Sequence, residues 1–182
     1  MICLNREKLL NMINKRIGYY DRLYPPNIIT NSKKPDPNIE KALANKKFKD
    51  IDDNEKRILF GDLDLFNPQS FKYYYIYFIH YAITTKNIPE LFDIFLLSLR
   101  YKDDKYIRVL GCEDIEIIYN FFQCVYDYMQ NSNTIDSKLL KEDYFEEIKQ
   151  GCMFWERQRH RCQSSKKWKC SNFRDTAEEF IK

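Results

Sequence analysis

Few side chains in this chain could carry a reaction. The sequence contains two histidines, His80 and His160, and a Ser–His or Cys–His catalytic pair must use one of them as its base. His80 lies in an aromatic segment, where a histidine is usually a boundary residue of the core. Cys112 follows a glycine at a predicted helix start, where the helix dipole could activate a thiol, but a buried structural thiol is the expected state.

Four residues near the C-terminus could form a metal site. Cys152, His160, Cys162 and Cys170 would supply three thiolates and an imidazole, which is a legitimate tetrahedral set for zinc. Paired ligands in zinc knuckles are separated by roughly two to four residues, whereas His160 and Cys162 are separated by one and cannot share a helix face. We therefore expect scattered free cysteines, no metal and no cofactor.

Several acidic residues occur in pairs. Metal-dependent nucleases and glycosidases use paired carboxylates in catalysis. Examples are Asp62 with Asp64 and Glu146 with Glu147, which stand in polar loops or on a predicted exposed helix face. The sequence contains no Walker motif, GxGxxG, HExxH or CxxC. Together with the scarcity of glycine and histidine, this predicts a protein that is not an enzyme.

Residues 151–182 form a basic segment with interleaved aromatic residues. Its cations could bind phosphates and its tryptophans could stack on bases, but the same field attracts an acidic protein at least as well. A solvated surface, on which Lys and Arg stems cover apolar area, is the third interpretation. The candidate contact residues here are Trp155, Arg157, Arg159, Arg161, Lys166, Lys167, Trp168 and Lys169.

Composition predicts a globular helical protein. The 182 residues are 44% hydrophobic and 31% charged, which suits one core and excludes disordered and membranous classes. Only 4 glycines occur, and strand-rich domains and phosphate-binding enzymes depend on glycine for tight turns. The net charge of +3 is too small to imply a nucleic-acid partner by itself.

The N-terminal residues contain no apolar h-region, so no signal peptide is expected. No apolar run approaches the roughly 20 residues that cross a bilayer. We therefore expect a cytoplasmic protein whose 6 cysteines are reduced thiols rather than a disulfide framework.

The core is expected around an aromatic segment, NPQSFKYYYIYFIHYAI, that begins at Asn67. An asparagine cap followed by proline favours a helix there, and its length argues against a strand. Pro25-Pro26 ends a first helix, and residues 101–110 hold a short extended piece. Further helices are predicted after Glu113, after the acidic cluster Asp50 to Asp53, and after caps at Asn5, Asp36, Asn87 and Asp136.

These elements predict an all-α fold, a single compact helical domain of about seven helices. Residues 1–150 would form the helical core domain. Residues 151–182 would form a basic C-terminal extension packed on that core, because aliphatic residues become scarce after Gly151.

The run from Phe48 to Ile83 reads FKDIDDNEKRILFGDLDLFNPQSFKYYYIYFIHYAI. It resembles the middle of an uncharacterised bacterial family of small helical proteins, and the similarity extends over about residues 48–128. The family has a short acidic loop, a leucine-bearing helix and then an aromatic element. Some of its members lie near toxin or contact-competition genes, so the resemblance implies an immunity-type binding role. The residues that match the aromatic element are Leu65, Phe66, Pro68, Phe71, Lys72, Tyr73 and Tyr74.

The sequence therefore predicts a non-enzymatic protein-binding module, a cytosolic immunity or inhibitor protein that occludes a cognate bacterial toxin or effector. Tyr19, Tyr20, Tyr101 and Tyr106 are expected to be exposed contact residues beside the basic segment, because Tyr, Trp and Arg dominate interface hot spots. A nucleic-acid-binding protein that uses the basic aromatic tail is the alternative.

Overall fold

The computed structural model describes residues 6–31, 33, 35–52, 55, 63, 65–84, 99 and 102–165. Within these ranges the regular structure is helical, which confirms the all-α prediction, and an isolated antiparallel bridge joins Thr30 to Phe66. None of the described helices combines the length and the apolar run that a bilayer crossing requires. The elements are α1 (Arg6–Tyr20), α2 (Pro37–Leu43), a 3-10 helix (Phe48–Asp50), α3 (Pro68–Thr84), α4 (Asp104–Val109), α5 (Cys112–Asn131) and α6 (Ile135–Ser164).

Helix α3 is the centre of the core. Asn67 caps it, because its Oδ1 accepts hydrogen bonds from the backbone N–H groups of Gln69 (3.0 Å) and Ser70 (2.9 Å), and Pro68 fits the first turn. All residues from 73 to 79 are buried, as expected for a helix covered on every side. The helix predicted here is confirmed, and α1, α4 and α5 pack around it.

Tyrosine hydroxyls tie α3 to the surrounding elements. A tyrosine ring adds apolar area to a core while its hydroxyl still needs a hydrogen-bond partner. Three of these hydroxyls find one on three different segments, so the aromatic helix fixes the position of its neighbours. The bonds run from Tyr74 to the Leu43 carbonyl (2.8 Å), from Tyr75 to Asp114 (2.7 Å) and from Tyr77 to Asp21 (2.6 Å).

A buried charge pair joins α1 to α5. Asp114 is wholly buried and accepts hydrogen bonds from Nε (2.6 Å) and Nη2 (2.8 Å) of Arg16. Its carboxylate also reaches back to the N–H of Gly111 (2.8 Å), which satisfies the start of α5. Burial opposes the charge of Arg16, but the hydrogen bonds and the charge of Asp114 outweigh it, so the pKa of the guanidinium is raised.

Helix α6 runs along α5 and continues through the predicted domain boundary. Gly151 lies in the middle of α6, where an added Cβ would overlap the ring of Phe122 on α5. One turn later Trp155 is fully buried and donates its indole N–H to the Leu99 carbonyl (2.8 Å). The helix therefore passes through residue 151 without a break, because its buried face persists although the composition changes.

The prediction of a short extended piece in residues 101–110 is wrong, because a helix spans Asp104–Val109. The backbone N–H groups of Tyr106 and Ile107 both bond to the Asp103 carbonyl, at 2.9 and 3.3 Å, and form the first turn of α4. The ring of Tyr106 packs edge-on against Phe71 of α3, with centroids 5.4 Å apart. Aromatic and β-branched residues favour strands, but here their burial against a helix decides the local structure.

The predicted helix caps have different outcomes. Asp36 caps α2, since its side chain accepts hydrogen bonds from two N–H groups of the first turn. Helix α6 is capped by Thr134, which accepts from the N–H of Ser137 (3.2 Å), so the cap predicted at Asp136 is wrong by two residues. The predicted caps that lie outside the described residues are Asn5 and Asn87.

Candidate functional site

A groove of about 620 Å³ opens between the end of α1 and the start of α3. Its outer wall is the loop that connects α1 to α2. Three large hydrophobic side chains are exposed in the described residues, and two of them, Tyr24 (84%) and Ile28 (63%), lie in this groove. The lining comprises Tyr19, Tyr20, Leu23, Tyr24, Pro25, Pro26, Asn27, Ile28, Asn45, Asn67, Gln69, Lys72 and Tyr73.

Hydrogen bonds hold the outer wall against α3. The carbonyl of Ile28 accepts from the Asn67 amide (2.7 Å) and from the Ser70 hydroxyl (2.8 Å). The N–H of Asn45 donates to the Pro26 carbonyl (2.9 Å). Asn45 has a φ of 60°, a left-handed conformation that asparagine tolerates better than most residues. The loop is therefore fixed by the core helix rather than free in solvent.

Glu40 on α2 positions the same loop from behind. Its carboxylate accepts hydrogen bonds from the backbone N–H groups of Ile29 (2.9 Å) and Thr30 (2.6 Å), and from the Thr30 hydroxyl. Burial acts to raise the pKa of Glu40, but these hydrogen bonds outweigh it and the pKa is lowered. Glu40 thus stays ionised and fixes the residues that follow Ile28.

Two polar groups distinguish the floor of the groove. Tyr73 is 4% exposed, and its hydroxyl has no hydrogen-bond partner within the described residues. Burial raises the pKa of this hydroxyl to about 12. Lys72 is the one charged residue of the lining, and the ion pairs within the described ranges do not include it. The groove thus offers apolar side chains, carboxamides and one cation, above a buried tyrosine hydroxyl.

The tyrosines predicted to be exposed contact residues differ in how far they are buried. Tyr19 is half-buried and lines the groove. Tyr20 (1%) and Tyr106 (5%) are buried, so the prediction that they are exposed is wrong. Their hydroxyls explain the burial, since Tyr20 donates to Asp114 (3.2 Å) and Tyr106 donates to the Phe66 carbonyl (2.7 Å). Tyr101 lies outside the described residues.

Part of the predicted basic surface is present on α6. Arg157, His160 and Arg161 are exposed, and their spacing of three and four residues places them on one helix face. These three residues are called the basic face below. The predicted contact residues that lie outside the described part of the chain are Lys166, Lys167, Trp168 and Lys169.

Two other predicted contact residues of α6 point toward the protein. Trp155 belongs to the core, so its expected role as an exposed contact residue is wrong. Arg159 is half-buried, and its Nε lies 3.0 Å from a carboxylate oxygen of Glu116. Its guanidinium also lies over the Tyr119 ring, 4.7 Å from the centroid. Arg159 therefore holds α6 against α5.

The cysteines do not match the predicted reduced state. Cys112 and Cys162 form a disulfide that joins α5 to α6, with Cα atoms 5.7 Å apart. Cys162 therefore has no thiolate to offer to zinc, while His160 is exposed and Cys170 lies outside the described residues. Within the described ranges, no group of three His, Cys, Asp or Glu side chains is arranged to hold a metal ion. Cys152 is a free, buried cysteine.

His80 occupies the boundary position expected for it. It is half-buried on α3, and burial lowers its pKa. It is not part of the groove lining. The residues that line the groove include no histidine that could act as a base.

Comparisons with protein-family models, with curated proteins and with solved structures each found no match to this chain. The resemblance to a bacterial family accordingly stays a prediction. The groove itself was not predicted, because Pro25-Pro26 was interpreted only as the end of a helix. The signal that could have found it is the run Tyr24-Pro25-Pro26, since proline restricts the residue before it to an extended backbone conformation.

Proposed function

We infer that the protein is a non-enzymatic binding module that holds an extended segment of a partner protein in the groove. The single observation that carries this proposal is the preformed groove with Tyr24 and Ile28 exposed in it. Exposed apolar side chains that cluster, rather than scatter, are typical of interaction sites. The role that this binding would serve is the predicted one, an immunity or inhibitor protein that covers a cognate bacterial toxin or effector.

Rigidity supports binding through this groove. Its outer wall is held by the hydrogen bonds of Asn67, Ser70 and Glu40, so little conformational entropy remains to be lost on association. Tyrosine and proline side chains are themselves stiff, and aromatic grooves commonly bind extended peptides. The groove thus has the physical properties of a peptide-binding surface before any partner arrives.

The lining favours an extended segment that carries one apolar side chain and one carboxylate. An apolar side chain would pack between Tyr24 and Ile28, the two exposed hydrophobic residues. A carboxylate would pair with Lys72, the one cation of the lining. Carboxamides along the walls, including those of Asn27 and Gln69, can bond to the backbone of a peptide that has no internal hydrogen bonds.

A site-specific cross-link tests the proposal. A photoreactive phenylalanine analogue replaces Tyr24 in one variant and Met153 in a matched control, because Met153 is an exposed apolar residue outside the groove. In the native cells, the expected result is one protein that cross-links from position 24 and not from position 153. Equal cross-linking from both positions would contradict a role for the groove.

Purified components then test affinity and inhibition. Tyr24→Ala should weaken binding by about 2 kcal/mol, or about thirtyfold in Kd, as expected for an aromatic hot spot. Met153→Ala should leave the affinity unchanged. If the partner has a toxic activity, the wild-type protein should suppress it and the Tyr24 variant should suppress it less. Unchanged binding in both variants would place the contact elsewhere.

The basic face of α6 supports a second candidate, binding to nucleic acid. Arg157 and Arg161 are exposed cations on one helix face. Trp155 cannot contribute a stacking surface because it is buried, so binding would rest on phosphate contacts. Removing both arginines should then reduce the slope of log affinity against log salt by about 2. Negligible binding of DNA and RNA at low salt would eliminate this candidate.

A further inference from the structure

The Cys112–Cys162 disulfide lies beside a second cavity. This cavity has a volume of about 270 Å³ and opens between α1, α5 and α6. Both cysteines belong to its lining, together with Met12, Arg16 and Arg159. Cys162 is 3% exposed and Cys112 is half-buried. The uncovered part of the cross-link therefore faces a space that a small molecule can enter.

The free cysteine Cys152 provides a contrast. It is 8% exposed and does not belong to the lining of either cavity. Burial raises the pKa of its thiol to about 12, and the thiolate is the form that reacts. Thiol chemistry is thus expected at the cross-linked cysteines rather than at the free one.

We propose that the Cys112–Cys162 disulfide is an exchange site for low-molecular-weight thiols that enter this cavity. The thiolate of such a molecule attacks the sulfur of Cys112, a bond forms between them, and Cys162 leaves as a thiolate. Cys112 is the sulfur that is attacked because it is half-buried, whereas Cys162 is 3% exposed, and exchange depends on which sulfur is accessible.

A second thiol completes the reaction. It attacks the small-molecule sulfur of the mixed disulfide and Cys112 is released, so that Cys112 and Cys162 each take up one proton. The protein disulfide has then gained two electrons and two protons and has become two thiols. The two small thiols have lost the same electrons and protons and have become one small disulfide, so the exchange needs no other oxidant or reductant.

The expected structural consequence is confined to the end of α6. Trp155 in the core and Arg159 beside Glu116 keep α6 docked up to residue 159 without the cross-link. Among residues 160–164, Cys162 is the one that is buried. Reduction therefore frees the last turn of α6, which carries two residues of the basic face, His160 and Arg161.

The first test uses glutathione as the probe on the whole, folded protein. Peptide mapping after purification in the presence of an alkylating reagent should find Cys112 and Cys162 linked to each other. Glutathione without denaturant should then give a glutathione adduct on Cys112 and a free thiol on Cys162. Cys152 should react only after denaturation. Free thiols at both positions from the start, or exchange only in denaturant, would overturn the proposal.

A matched pair of substitutions tests the route through the cavity. Met12→Trp fills the cavity and should slow the exchange about tenfold, because exchange rates depend on access. Met153→Trp is the control at an exposed position outside the cavity and should leave the rate unchanged. Met12→Ala widens the cavity and serves if the tryptophan variant fails to fold, and it should speed the exchange. Equal rates in all variants would refute the proposed route.

Amide hydrogen exchange tests the release of the helix end. On reduction, exchange of the amides in residues 160–164 should rise severalfold, whereas the amides of residues 152–158 should keep their protection. The same protection in both states would show that the cross-link does not hold this turn.

Discussion

The carboxylate of Asp114 on α5 lies 2.7 Å from the hydroxyl of Tyr75 on α3, at a position where both residues are wholly buried. The same carboxylate binds Arg16 of α1, so three helices meet at one buried anion. A buried ion pair adds little stability over an apolar replacement, but removing one partner leaves the other charged and unpaired. This arrangement therefore makes the core sensitive to substitutions of Asp114.

The first prediction concerns this anion. Asp114→Asn leaves the guanidinium of Arg16 without its buried counter-charge and should lower the free energy of unfolding by about 3 to 5 kcal/mol. Glu113→Gln is the matched control, because Glu113 also contacts Arg16 (3.3 Å) but its side chain is 57% exposed. It should cost less than about 1 kcal/mol. Urea unfolding measures both, and equal losses would contradict the buried role of Asp114.

The second prediction compares two neighbouring tyrosines. Tyr75→Phe removes a hydrogen bond to a charged group and should cost about 1 to 3 kcal/mol. Tyr73→Phe should be neutral or slightly stabilising, since the Tyr73 hydroxyl is buried without a partner in the described residues. Chemical unfolding of the two variants measures the difference. A comparable loss in Tyr73→Phe would show that its hydroxyl is bonded in solution.

The third prediction concerns two glycines in helices. Gly151→Ala should lower stability by about 1 to 3 kcal/mol, because the new methyl group overlaps the Phe122 ring. Gly18→Ala should instead stabilise the protein by about 0.5 to 1 kcal/mol, since no atom lies within 4 Å of the added Cβ and alanine favours the helix. Thermal unfolding should therefore shift in opposite directions. A shared direction would place Gly151 elsewhere than against α5.

The fourth prediction is a loss of stability in alkali. Burial raises the pKa of Tyr73 to about 12 and also raises the pKa values of Tyr20 and Tyr75. Between about pH 10 and pH 12 the unfolded chain loses these protons while the folded protein keeps them. The unfolded state then binds fewer protons, so the free energy of unfolding falls as pH rises.

Unfolding curves across this pH range, with tyrosinate absorbance as a second signal, measure the effect. Stability that does not change up to pH 12 would mean that the buried hydroxyls ionise as readily as those of the unfolded chain. A variant in which Tyr73 is replaced by phenylalanine should lose less stability over the same range, because one of the shifted groups is absent.

The interior was largely predictable from the sequence, whereas the surface was not. Asn67 and Pro68 define the start of α3 by local chemistry, and the aromatic density after them requires burial. The positions of Tyr20 and Tyr106 depend on partners far away in the chain, Asp114 and Phe66. No local pattern contains that information, so both tyrosines were expected on the surface.

Both candidate sites likewise depend on contacts between residues that are far apart in the sequence. The groove forms where residues 19–28 meet the start of α3, and the disulfide joins residues that are separated by 50 positions. Periodicity shows which face of a helix is apolar, but it does not show which loop or cysteine that face meets. In α6 the basic composition after Gly151 gave no indication of the buried face, which comprises Trp155 and Cys162.

The unbroken course of α6 limits how the C-terminal half of this helix could be exchanged between proteins. A graft that transferred only the charged portion, cut where the composition changes, would take Trp155 out of its own hydrophobic centre and leave the Leu99 carbonyl without its donor. The protein that gives up this portion would lose a buried core residue together with its arginines. The protein that receives it would gain a tryptophan for which its own core has no matching cavity. In this molecule, the charge of the helix can be changed without disturbing the core by single substitutions on its outer side, at positions such as Arg157 and Arg161.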